Sequence, residues 1–184
     1  GQRARPRRAL LGISGSGGEK EHIAILSLLA RQTGVPVAVL HDVPNQPLFK
    51  GDSKNGKGLK EDALIAHTFK KFAETGDQEW PALLPMTRAV VSAMNCLDEF
   101  SQQKEREAQP WAYGRLEKFV TLGGSKRGWT TWLSAVVDER VVGIAPIVYD
   151  NLNIPQQIAL HYDTFGKPSP SIHDYTERGL IKML

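Results

Sequence analysis

The sequence predicts an α/β fold, a parallel sheet with helices on both faces. Short apolar runs alternate with helix-length stretches along the chain. The runs are apolar throughout rather than at every second residue, as expected for strands covered on both sides. Two of them end in glycine-rich segments, where loops at the C-terminal edge of such a sheet fall. The chain has 184 residues, 41% of them apolar and 23% charged, which suits one ordinary globular domain.

The first run, Ala9-Leu10-Leu11-Gly12-Ile13, stops at Ser14-Gly15-Ser16-Gly17-Gly18. Glu19-Lys20-Glu21 then opens a helix to about Gln32, its acidic residues in the first turn where the helix dipole favours them. Ile23, Leu26 and Ala30 are expected along its packed side, and Gly34 is placed as a C-cap. Val35 to Leu40 forms the second strand, and His41 to Lys60 reads as a long loop. Helices are predicted from Glu61 to about Glu74 and from about Leu84 to Phe100, the second with Met86, Val90, Ala93, Met94 and Leu97 at helical spacing. Gln102 to Gly114 is expected as an exposed connection. Lys118 to Leu122 is the third strand, and it runs into Gly123-Gly124-Ser125-Lys126-Arg127-Gly128. The helix after it should pack through Trp129, Trp132, Leu133 and Val136. Val141 to Val148 is the fourth strand, expected to be buried on both faces and loosely paired near Pro146, which lacks a donor.

The formal charge of +3 comes from the first eight residues, which hold Arg3, Arg5, Arg7 and Arg8. Removing four positive charges from +3 leaves −1, so residues 1–8 read as a basic arm on a near-neutral body, without the basic and aromatic stripe of a nucleic-acid binder. No apolar run is long enough to cross a bilayer. Cys96 is the one cysteine, so an internal disulfide is excluded, and its apolar helical setting suggests a buried, inert thiol. His22, His41 and His67 have no partner at metal-ligand spacing, and neither a metal nor a cofactor is expected.

The chemistry concentrates at Ser125, which sits between a strand and a helix. Gly123, Gly124 and Gly128 supply the small residues that a sharp strand-to-helix turn needs. Such a turn can hold a serine hydroxyl above the sheet edge, with the Lys126 backbone N–H at the start of the helix facing a developing oxyanion. The pattern departs from G-x-S-x-G, since Arg127 holds the fifth position and the glycine comes one place later. Three readings stand side by side: a nucleophile elbow, an anion cradle, and a glycine turn N-capped by Ser125. The Ser14–Gly18 loop suits the first, because a backbone N–H such as that of Gly17 could be the second oxyanion donor, although a plain tight turn has the same composition.

Several strings resemble one family in order. They are Val43-Pro44-Asn45-Gln46-Pro47-Leu48, Glu61-Asp62-Ala63, Leu84-Pro85-Met86-Thr87, Gly124-Ser125-Lys126-Arg127-Gly128-Trp129-Thr130-Thr131-Trp132-Leu133, and Ala145 to Asn153. Together they resemble the PhoPQ-activated pathogenicity-related family from about Leu10 to about Gly179. Asn95 and Tyr149 stand where that family usually has Asp and an aliphatic residue. The resemblance implies a partial α/β-hydrolase fold lacking its last strands, with the core over 9–150 and an insertion or lid-like segment over 151–184. It also implies Ser125 as the nucleophile of an ester or amide hydrolase, a small-molecule or peptide substrate, and a secreted or periplasmic location. The alternative is a non-catalytic module of the same fold that binds or signals.

Only 36 residues follow Val148, too few for two further strand–helix units, so the triad Asp and His are expected beyond residue 184. His161 and His173 lie in the insertion-like segment and are weaker candidates for the base. Arg127 and Asp150 are candidates for substrate contact. Carboxylate pairing for Arg127, and acceptance of backbone N–H groups by Asp150, are the plainer alternatives.

Overall fold

A computed structural model describes residues 7–17, 19–107, 114–149 and 152–183. Residues 1–6 of the basic arm, Gly18 and Asp150 lie outside the described residues. The chain divides into two compact units, Gly1–Pro44 with Met86–Tyr149, and Asn45–Pro85 with Asp150–Leu184.

The first unit holds a four-stranded parallel sheet built from β1 (Arg7–Ile13), β2 (Val37–Leu40), β3 (Leu116–Gly124) and β4 (Val141–Ile147). The strand order is β2-β1-β3-β4. Connections therefore leave β1 in opposite directions, and the crevice of such a sheet opens between the loops after β1 and β3. Register brings those two strand ends level, with Leu11 beside Thr121 and Ile13 beside Gly123. β1 begins at Arg7, two residues ahead of the apolar run.

Helices cover both faces. Gly12 points toward α1 (Glu19–Thr33), close enough that a Cβ there would lie 2.9 Å from Leu26 Cδ1. Ala9, Leu11 and Ile13 point the other way, level with Phe119, Thr121 and Gly123. On that face α4 (Lys126–Val137) meets β3 through a hydrogen bond between the Thr121 and Ser134 hydroxyls, 3.2 Å apart. Ala9, Leu11, Ile13 and Phe119 form the buried centre, together with Met86, Val90 and Met94, spaced four apart on α3 (Leu83–Arg106). α1 ends as expected, with Gly34 at φ 66° and its N–H donating to the Ala30 carbonyl at 2.9 Å.

Several expectations change. Of the predicted packed side of α1, Leu26 is buried but Ile23 is 53% exposed. α3 continues to Arg106, through residues read as an exposed connection. Cys96 is exposed rather than buried, because it falls two positions past Met94, across the helix from the stripe of Met86, Val90 and Met94. α4 buries Thr130, Thr131 and Ser134, while Val136 is 79% exposed. Those hydroxyls enter the interior because each has an acceptor on its own helix, the Lys126, Arg127 and Thr131 carbonyls at 3.1, 2.8 and 2.8 Å. No residue of β4 is fully buried, since β4 is the last strand on its side of the described sheet. Its pairing nevertheless persists to Gly124↔Ile147. The Ile147 carbonyl faces β3, where it accepts from the Ser125 N–H at 2.9 Å, so the neighbouring Pro146 turns its missing donor to the open edge and costs the ladder nothing.

The second unit is mainly helical. α2 (Glu61–Thr75) carries the buried Leu64, Ile65 and Ala66, and α5 (Ile154–Phe165) and α6 (His173–Glu177) follow β4 in the chain. The Tyr175 hydroxyl of α6 donates to Asp62 of α2 at 3.2 Å. Phe49, His67 and Trp80 pack as a ring cluster, with centroids 5.0 to 6.3 Å apart. Among the described residues no helix is long and apolar enough to cross a membrane.

Candidate functional site

β3 stays paired on both sides to its last residues, and α4 begins at Lys126 with only Ser125 between them, so Ser125 must turn the chain by itself. It does so at φ 54° and ψ −126°, outside the regions that non-glycine residues ordinarily occupy. It holds the N-cap position, yet its side chain makes no capping hydrogen bond, which removes the N-cap reading of the turn. Among the described residues the Ser125 hydroxyl has no hydrogen-bond partner, and the residue is half-buried.

Close packing sets this turn. A Cβ on Gly123 would lie 2.7 Å from the Arg127 carbonyl oxygen. One on Gly128 would lie 2.8 Å from Tyr149 Cβ and 3.1 Å from the Gly123 carbonyl oxygen. Close packing on both sides therefore excludes a side chain at Gly128. Gly124 has no atom within 4 Å of the corresponding point, so packing does not require a glycine there. Lys126 is the first residue of α4, and the first-turn N–H groups of a helix have no acceptor within it. The Lys126 side chain is buried.

The loop after β1 lies next to this turn in strand order. Gly17 has φ 85° with open space around its Cα, so its glycine serves the backbone conformation rather than packing. Arg127 is only 7% exposed, and its Nε donates to the Val43 carbonyl at 2.6 Å. Its guanidinium lies against Gly15, with Cζ 2.6 Å from where a Cβ would be.

Three features had no signal in the sequence. Ser14 Oγ and His22 Nδ1 are 2.9 Å apart, although His22 reads as an ordinary helix residue. Gly12 and Ser14 share a strand face and His22 and Leu26 share a helix face, so one register brings both pairs together. Ser14 and His22 lie at a cavity of about 120 Å³, lined also by Leu26, Val39, Leu122 and Gly124. Val148 takes φ 47°, rare for a β-branched residue, just before Tyr149, whose ring stacks on Trp129 at 5.4 Å and 23°. Tyr149 stood out in the sequence only as a departure from an aliphatic residue.

His161, His173 and His67 belong to the second unit. His161 Nδ1 accepts from the Ser169 N–H at 3.4 Å, and His173 Nε2 is 3.5 Å from Glu177 Oε2, both within the second unit. Burial pushes the His67 imidazole below its ordinary 6.5, against the opposing charge of Asp52. Among the described residues, no three His, Cys, Asp or Glu side chains are grouped to hold a metal ion.

The model of the PhoPQ-activated pathogenicity-related protein family matches residues 2–184. The chain is 36% identical over 161 residues to autocrine proliferation repressor protein A of Dictyostelium discoideum, covering 86% of this chain and 30% of that protein. The chain therefore spans about a third of the length of that relative. No solved structure matches.

Proposed function

For a chain that belongs to the PhoPQ-activated pathogenicity-related protein family, we propose the role of nucleophile-bearing part of a serine hydrolase of the α/β-hydrolase type. One observation carries this reading. Ser125 holds a strained backbone between a parallel strand and a helix, with its hydroxyl uncommitted. Strain of this kind costs about 1–3 kcal/mol and persists where the surrounding structure enforces it, commonly at reactive residues.

In the proposed reaction Ser125 Oγ attacks an ester or amide carbonyl of a small-molecule or peptide substrate. Its proton passes to a histidine base, and the carbonyl oxygen becomes an oxyanion facing the N–H groups of Lys126 and Gly17. The leaving group departs with the proton, and water then releases the acid from the acyl-serine. The base and its orienting acid are proposed to come from the remainder of a longer protein, as the length of the amoebal relative suggests.

A second reading has support in that relative's printed name, autocrine proliferation repressor. A secreted signalling module could keep this fold and act by binding alone. A fluorophosphonate probe applied to the intact protein separates the two. Covalent labelling lost in Ser125→Ala supports the hydrolase, while a folded protein that never labels overturns it in favour of the binding module.

A further inference from the structure

Resting on the reading of Ser125 as nucleophile, the geometry points to Arg127 as the positioning residue that sets the oxyanion loop against the nucleophile turn. The inference starts from where the arginine stands. Its own backbone is pressed against Gly123, whose absent Cβ makes room for the Arg127 carbonyl. Its side chain leaves α4 and reaches the ends of two other strands.

The loops after β1 and β2 are already tied to each other. The Ser14 N–H donates to the Leu40 carbonyl at 2.8 Å, the Val43 N–H to the Ser14 carbonyl at 2.9 Å, and the Asp42 N–H to the Gly15 carbonyl at 3.4 Å. Arg127 adds the turn after β3. Its Nε donates to the Val43 carbonyl while its plane lies over Gly15. One guanidinium thus closes a circuit through three loops at the C-terminal edge of the sheet.

A guanidinium suits this task because it is a flat, rigid fork with fixed donor directions. A lysine of similar length could supply the charge, but not the plate against Gly15. Gly15 is the complementary half of the contact, since a methyl group there would push the guanidinium off Val43. Gly17, the proposed second oxyanion donor, follows two residues after Gly15. Arg127 therefore holds that N–H in place without touching substrate. A misplacement of about 1 Å at such a donor can lower a rate about 100-fold.

The test uses the intact protein, with Arg127→Lys, Arg127→Ala and Gly15→Ala compared on native, monodisperse material. Inactivation by the fluorophosphonate is followed to saturation, separating probe affinity from the limiting rate. All three variants should label with a limiting rate about 100-fold lower and with little change in probe affinity. Guanidinium ion added to Arg127→Ala should restore part of the rate. Hydrogen exchange at Gly15, Gly17 and Val43 should quicken in each variant. Wild-type labelling rates in the variants, or unchanged exchange at those amides, would overturn this inference alone. Absence of labelling in the wild-type protein overturns the nucleophile reading, and this inference with it. Gly15→Ala keeps the test decisive if the arginine variants do not fold, because it leaves Arg127 itself intact.

Discussion

His67 illustrates how one buried group can give a unit its response to acid. Its ring packs between Phe49 and Trp80, and its Nε2 has no hydrogen-bond partner and lies 3.9 Å from Asp52 Oδ2. Burial is the leading cause of its lowered pKa; Lys71 and Arg178 push the same way, and Asp52 and Glu74 oppose. The folded chain thus resists protonation more than the unfolded chain does, and acid favours unfolding. The second unit should keep full stability above the ordinary value of 6.5 and lose it as pH falls, until the lowered folded value is passed. Urea midpoints measured from about pH 8 to about pH 5 should show that decline, and His67→Phe should flatten it. An equal slope in the variant would mean that another group carries the response.

Within the β3–turn–α4 element, the adjacent Gly123 and Gly124 differ in whether packing requires a glycine. A methyl group on Gly123 would meet backbone and force the turn apart, so Gly123→Ala should cost about 1–3 kcal/mol in urea unfolding. Gly124→Ala should be close to neutral or stabilise by up to about 1 kcal/mol, since its site is open and its φ is ordinary. A large loss at Gly124 would show that the turn is not packed as described. The sequence makes the turn itself legible, because a strand, a glycine run and a helix start are local patterns. It does not reveal which glycine is sterically required, which depends on how the first turn of α4 folds back on Gly123 and on Tyr149 arriving from beyond β4. Periodicity misplaces the packing face of α4 for a related reason. Periodicity ranks Trp and Val above Thr and Ser, but hydroxyls bonded to their own helix carbonyls fit closer to the sheet. The same limit hides Arg127, whose Val43 partner lies 84 residues away in the chain.

Across the whole molecule, parallel strands and alternating helices were legible because each run is short, apolar and bounded by turn residues. The burial of β4 was not, because an apolar strand looks alike at the centre or at the edge of a sheet. Chemistry follows the same division. The turn and its neighbouring loop are both present in the first unit, where among the described residues no histidine is hydrogen-bonded to Ser125 Oγ. The 184-residue chain alone should therefore show no appreciable turnover of activated esters, even where the intact protein labels. Robust hydrolysis by the chain, lost in Ser125→Ala, would mean that the base lies within it.

The open side of β4 has a consequence for what could lie beside it. Ile144 and Pro146 share the outward parity, so this side presents the Ile144 amide hydrogen and then, two residues on, a pyrrolidine ring with none. A neighbouring chain could be zipped on over the first part of the edge, but would meet an interruption level with Gly123, just below the serine. A further strand added there would be held along the lower part of the edge and released level with Gly123, leaving the space over Ser125 open to the chain that follows it.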